Sequence, residues 1–241
     1  MAFEVRNEQY IGSGIIYVNG RDVGNVSAAS FAIETNSINR PNFRGGGGNA
    51  ATLERVQAVR LSLTLDSFNN ENLALALRGK VEVLISKKVT DAEFTVGEGI
   101  NLLRTDDMID IGKDVIVKKG AEPTPLIKGT DYDVSAAGIL PLPGGAIAVA
   151  DTLKVTYDTV AGNALEALTE SGEEVSVVMD GLNDNSGKRN VLDVYRWKPA
   201  PTSGLGLISE EFGEFPLEGE VLADTSKPAG KSQFFRRTAQ D

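Results

Sequence analysis

The feature that most restricts the fold of this chain is a strict alternation of apolar and polar residues. Val59, Leu61, Leu63 and Leu65 alternate with Arg60, Ser62, Thr64 and Asp66. Because successive side chains of a β-strand point to opposite faces, this pattern predicts a strand with one buried face and one solvated face. Similar β-rich runs occur at Val81–Ile85, Glu174–Met179, Val191–Trp197 and Glu218–Leu222. The chain is therefore predicted to be all-β, with a β-sandwich or barrel architecture.

Two local signals add detail to this fold. Asn19-Gly20 follows the apolar run Ile15–Val18 and predicts a tight hairpin turn, after which a second strand is expected around Ala29–Thr35. Further on, the polar residues of Ser67–Asn72 can cap a helix, and Leu73–Arg78 consists of strong helix formers. One short α-helix that flanks the β-sheet is predicted here, with Gly79 following its end.

Two stretches divide the chain. Residues 36–51 are rich in glycine and poor in apolar side chains, so they predict a mobile loop, which is either an assembly element or a plain flexible linker. Residues 97–162 carry frequent glycine and proline residues between short β runs and predict a small β insertion. The expected organisation is a main β domain made of residues 1–96 and 163–241, interrupted by the insertion.

Composition excludes several kinds of chemistry. The 241 residues contain no cysteine and no histidine, which removes disulfides, thiolate metal sites and imidazole-based catalysis. The glycine-rich segments lack the spacing of phosphate-binding loops, and the acids from Asp106 to Asp114 lack that of a calcium loop. We predict a non-enzymatic protein with no catalytic, metal-binding or cofactor-binding residues. An enzyme that uses carboxylates alone, such as a glycosidase, remains an alternative.

Charge and hydropathy limit the partners. The formal net charge is −10, from 34 acids and 24 bases, which argues against a surface that holds nucleic acid through its phosphates. No apolar run approaches the roughly 18 residues that a membrane span requires. Met1 is followed by charged residues such as Glu4 and Arg6 without an apolar stretch, so no signal peptide is expected.

Several runs resemble the major tail tube proteins of long-tailed, siphovirus-like bacteriophages. They are Asn70–Gly79, Lys128–Val134 with Gly145–Ile147, Val177–Asn183, Lys188–Arg196, Phe212–Asp224 and Ser232–Phe235. The resemblance covers most of the chain. It implies a β-sandwich subunit that forms six-membered rings, stacked into a tube through which DNA is ejected, and a long loop in the N-terminal half that orders on stacking.

This resemblance implies roles for three sets of residues. The inter-ring assembly loop would contain Asn36, Arg40, Pro41, Phe43, Arg44, Gly45, Gly46, Gly47 and Gly48. The acids Glu34, Asp66 and Glu174 are candidates for a bore that repels DNA, or they are ordinary surface acids. The strand with Val191, Val194, Tyr195 and Trp197 is apolar on both faces, so it is either a contact between subunits or a central strand within one subunit.

The expected partners are other copies of this chain and other tail proteins at the ends of the tube, with DNA passing through without specific binding and no membrane involved. The expected location is the virion tail, after synthesis in the bacterial cytoplasm. Two alternatives remain open. One is a surface or secreted β-sandwich that binds carbohydrate or protein, and the other is a different β-rich component of a phage tail or injection system.

Overall fold

A computed structural model describes residues 9–99 and 101–240 of the chain. The described residues are 51% strand and 3% helix, which confirms the all-β prediction with one short helix. The helix α1 spans Asn70–Leu77. The strands are β1 Gly12–Val18, β2 Arg21–Asp22, β3 Val26–Pro41, β4 Asn49–Leu65, β5 Lys80–Leu84, β6 Lys88–Thr95, β7 Leu103–Arg104, β8 Ile116–Lys119, β9 Tyr132–Ser135, β10 Gly138–Pro141, β11 Thr152–Asp158, β12 Gly162–Glu166, β13 Val175–Asn183, β14 Lys188–Pro199, β15 Phe215–Val221 and β16 Phe235–Ala239.

The chain divides into two compact units. The first comprises Met1–Val81 and Leu165–Asp241, and the second comprises Glu82–Ala164. The second unit thus extends beyond the predicted insertion of residues 97–162 at both ends. The reason is strand pairing: β6, which the sequence analysis assigned to the main domain, pairs with β11, for example Phe94 with Leu153. Pairing between such distant segments leaves no local sequence signal.

The first unit is built on one antiparallel sheet with the strand order β2-β1-β13-β14-β15-β4-β3, and β16 also pairs with β14. Its core contains the apolar residues of the alternating pattern, with Val59, Leu61, Leu63 and Leu65 all at most 3% exposed. Residues of β1, next to one end of the strand order, and of β3, at the other end, line one cavity of about 440 Å³. The sheet therefore curls so that its two ends approach each other.

The predicted turn and helix are both present. Asn19 and Gly20 have φ angles of 49° and 77°, the left-handed conformations that a two-residue turn between β1 and β2 requires. The Asn69 side chain accepts a hydrogen bond from the Asn72 amide and caps α1. The residue with left-handed geometry at the helix end is Arg78, at φ 47°, and Gly79 follows it.

Buried polar contacts and an aromatic contact hold the helix on the first unit. Asn72 is fully buried, and its side-chain amide donates hydrogen bonds to the carbonyls of Val23, at 2.8 Å, and Ser67, at 3.0 Å. Phe68 packs edge to face on Phe215, with the ring centroids 5.1 Å apart. These contacts fix the passage from β4 into the helix.

The second unit has its own core and two three-stranded sheets, with the orders β7-β10-β9 and β6-β11-β8. The Asp131 carboxylate accepts hydrogen bonds from the backbone amides of Ile127, at 2.7 Å, and Ala146, at 2.9 Å. These two bonds lower the pKa of Asp131 because they stabilise its charged form. This buried acid organises the turn before β9.

Candidate assembly surface

The segment predicted as a mobile loop is largely a β-hairpin. β3 and β4 pair from Val26 opposite Leu65 to Pro41 opposite Asn49, so residues 36–41 and 49–51 lie in strands. The prediction of a structureless loop over residues 36–51 was therefore wrong for most of its length, because ladder hydrogen bonds between the strands supply the order that buried side chains would otherwise provide. We call residues 33–58 of this hairpin the arm.

The tip of the arm explains the run of four glycines. Gly45, Gly46, Gly47 and Gly48 all have positive φ angles, of 96°, 86°, 71° and 78°. Side-chain-bearing residues rarely adopt this conformation, and an added Cβ would meet no other atom within 4 Å at any of the four positions. The glycines are therefore needed for the backbone path of the turn and not for close packing. The Asn42 side chain closes the turn by donating to the Gly45 carbonyl at 3.0 Å.

The arm exposes large apolar side chains that the first unit does not cover. Ile38 and Leu53 face each other across the two strands and are 58% and 49% exposed. Ile33 and Val56 are similarly exposed, and Phe43 at the tip is 86% exposed. Of the other predicted loop residues, Asn36, Arg40, Pro41 and Arg44 are also exposed. By strand alternation, Ile38 and Leu53 lie on one face of the arm and Ile33 and Val56 on the other. Large exposed apolar surface of this kind marks interaction sites in soluble proteins.

Strand edges are the second feature of this surface. β3 is at one end of the strand order, and no other described strand pairs with its outer edge. β16 pairs with β14 on one side, and no described strand is paired with its other side. Free edges of this type offer unpaired amide and carbonyl groups to another chain.

The strand with Val191, Val194, Tyr195 and Trp197 does not offer such an edge. It lies in β14, which pairs with β13 on one side and with β15 and β16 on the other. Val194 and Trp197 are buried in the core of the first unit, whereas Val191 is 37% exposed. The alternative of a central strand within one subunit therefore holds for β14. Because both edges of β14 are occupied, a subunit contact at this strand stays a prediction only for its partly exposed face, which includes Val191 and Tyr195.

The three candidate lumen acids lie on separate strands or beside them, and each has a local partner. Glu34 of β3 forms an ion pair with Arg60 at 3.0 Å, and Glu174, next to β13, pairs with Arg196 at 2.7 Å. Asp66, directly after β4, accepts hydrogen bonds from the side chains of Asn25 and Ser67. Glu34 and Glu174 are thus locally neutralised by arginines from neighbouring strands, which the sequence pattern did not reveal.

Two further features escaped the sequence analysis. A connection between β14 and β15 exposes Leu207, Ile208 and Phe212, of which the last two are 99% exposed. A cavity of about 510 Å³ in the first unit has both apolar and basic walls. Composition does not reveal that the apolar residues of the connection are exposed. The cavity is assembled from strands that are distant in sequence, so no local pattern predicts it.

Groups of three or more His, Cys, Asp or Glu side chains that could hold a metal ion do not occur among residues 9–99 and 101–240. Within the same part of the chain, no helix is long and apolar enough to cross a membrane.

The surface described above has the character of a docking surface: apolar side chains on a projecting hairpin, free strand edges and polar groups that are mostly paired.

The fold and this surface define an all-β protein with exposed sheet edges and a projecting apolar hairpin. Residues 9–238 match the model of a protein family, and the chain belongs to that family, which is described as "Protein of unknown function UCP028589". No curated protein matches the chain.

Proposed function

We propose that this protein is a structural subunit that assembles with copies of itself into stacked rings, and that these rings form the tube of a bacteriophage tail. The observation that carries the proposal is the arm, a long β-hairpin with large apolar side chains on a subunit that does not cover them. Burial of these apolar side chains between subunits would supply the free energy of association. Removing apolar surface from water stabilises association by about 25 cal/mol per Å².

Free strand edges support the same conclusion. The outer edge of β3 and the free side of β16 belong to different strands of one sheet, so contacts between them on neighbouring copies would be heterologous. Heterologous contacts produce closed rings or helical filaments, according to whether the rotation between copies closes. A ring of subunits joined in this way, stacked through the arms, is a tube.

The charge of the chain fits a channel for DNA. With a net charge of −10, the subunit as a whole would repel the phosphate backbone. Of the three candidate bore acids, Glu34 and Glu174 are paired with arginines, so the acidic lining would depend more on other acids such as Asp66. The duplex would then pass through without being retained.

The proposal is tested by following the association of the purified protein. Sedimentation velocity at increasing protein concentration should show a cooperative rise in mass, and negative-stain electron microscopy should show rings or tubes with a central hole. A protein that stays monomeric throughout would refute tube formation and would favour the alternative of a β-sandwich binding module. Tight retention of duplex DNA at physiological salt would also contradict the proposed channel.

A further inference from the structure

The connection between β14 and β15 contains an apolar segment that contacts little of its own subunit. Leu207 is 79% exposed, and Ile208 and Phe212 are each 99% exposed. The connection is nevertheless anchored, because the amide of Thr202 donates to the carbonyl of Ala76 at 2.7 Å. We call residues 207–212 the display segment.

Both the chemistry and the anchoring of the display segment suit it to binding. Between its apolar residues lie Glu210 and Glu211, so the segment is both apolar and acidic. At its far end the chain enters β15 at Phe215, which is fully buried. Anchoring at both ends limits the conformational entropy that the segment loses when it binds.

A cavity elsewhere on the first unit has the complementary chemistry. It has a volume of about 510 Å³, within the range of about 300–1,000 Å³ that is typical of binding pockets. Its apolar walls are formed by Tyr10, Phe31, Met179, Leu192 and Phe235. We call it the basic cavity, because its charged wall residues are basic.

The basic residues lie on β14 and β16. They are Lys188, Arg189 and Arg237, and none of the described residues that line the cavity is acidic. Arg189 also contacts Asp180 at 3.6 Å, in an exposed ion pair. Exposed pairs of this kind contribute at most about 1 kcal/mol, so Arg189 can readily exchange this partner for another carboxylate.

We propose that the display segment of one copy binds in the basic cavity of the next copy. Ile208 and Phe212 would pack against the apolar walls, while Glu210 and Glu211 would face Arg189 and Arg237. This contact joins two different surfaces of the same chain, so it is heterologous and propagates in one direction around a ring or along a filament. The inference rests on the proposed self-assembly and identifies one of its contacts.

The absence of cysteine from the chain allows a direct test by disulfide cross-linking. Two single variants, Ser209→Cys and Ala239→Cys, are mixed under mild oxidation, since Ser209 is an exposed residue of the display segment that leaves Phe212 in place, and Ala239 lines the basic cavity and is exposed. Selective formation of the mixed dimer is expected. The control replaces Ala239→Cys with Ile127→Cys, an exposed position in the second unit.

A charge exchange tests the same contact without cross-linking. Glu211→Arg and Arg237→Glu should each slow association and reduce its dependence on salt. A variant with both changes should associate at the wild-type rate again. Phe212→Ser should weaken association by about tenfold to a hundredfold, as expected for an aromatic side chain that is no longer buried. Ile127→Ser is the matched control and should have no effect.

The outcomes separate this contact from the proposed function. If the wild type forms rings or tubes but Ser209→Cys links equally well to Ala239→Cys and Ile127→Cys, the contact is refuted and the proposed function stands. If the wild type never associates, both are refuted. If a chain that carries both cysteines closes an internal disulfide in dilute solution, the segment fills its own cavity and the contact between copies is overturned.

Discussion

The cross-strand pair of the arm gives the sharpest prediction for assembly. Ile38 and Leu53 face each other and are 58% and 49% exposed, so about half of each side chain is still available for burial. Complete burial of such a side chain contributes about 1.5–3 kcal/mol, so the remaining halves correspond to about 1.5–3 kcal/mol for the pair. Replacing both with threonine, which keeps a high strand propensity, should raise the concentration needed for assembly by about 10-fold to 150-fold.

The assay compares the wild type with the Ile38→Thr/Leu53→Thr variant by sedimentation velocity and electron microscopy over the same concentration series. Ile127→Thr/Leu140→Thr in the second unit is the matched control, since these side chains are 64% and 42% exposed. Circular dichroism should show that the thermal midpoints of the monomers differ by only a few degrees. Unchanged assembly of the arm variant would refute the role of the arm. Loss of the folded monomer would show that the pair serves the subunit's own stability.

Three further outcomes are expected. Deleting Gly45–Gly48 leaves three residues between β3 and β4, a common hairpin length, so the monomer should fold while stacking of rings in micrographs is impaired. Asn72→Ala should lower the free energy of unfolding by about 1–3 kcal/mol in chemical denaturation, because the carbonyls of Val23 and Ser67 lose a buried donor. Because its folded pKa is lowered, Asp131 stabilises the second unit above its unfolded pKa of about 4, and this contribution is lost as the pH falls through the folded value. The protection factor of the Ala146 amide, which is its exchange rate corrected for the intrinsic rate at each pH, should therefore fall in acid, and Asp131→Asn should show a reduced protection factor already at neutral pH.

Local signals in the sequence predicted much of the secondary structure. The alternation from Val59 to Leu65 gave the buried face of β4, and Asn19-Gly20 gave the turn between β1 and β2. These signals worked because each depends on neighbours in the chain.

Predictions that depended on which strands pair with each other were less accurate. The segment Ala29–Thr35 was expected to follow the first hairpin as a partner strand, but it lies in β3 and pairs with β4. β1 instead pairs with β13, so that Gly12 is opposite Asn183. The backbone hydrogen bonds that join these strands are almost independent of side-chain identity, so a local sequence pattern does not reveal which strands pair.

The sequence by itself determined the fold class, the short helix, the tight turn and the chemistry that this chain lacks. The tertiary structure decided that residues 36–51 form a hairpin and its tip, that β14 is covered on both edges and that Glu34 and Glu174 are paired with arginines. It also decided that Phe212 is exposed and that a basic cavity exists. The physical reason is that burial, strand pairing and charge neutralisation depend on residues that are far apart in sequence, whereas turns and side-chain alternation depend on adjacent ones.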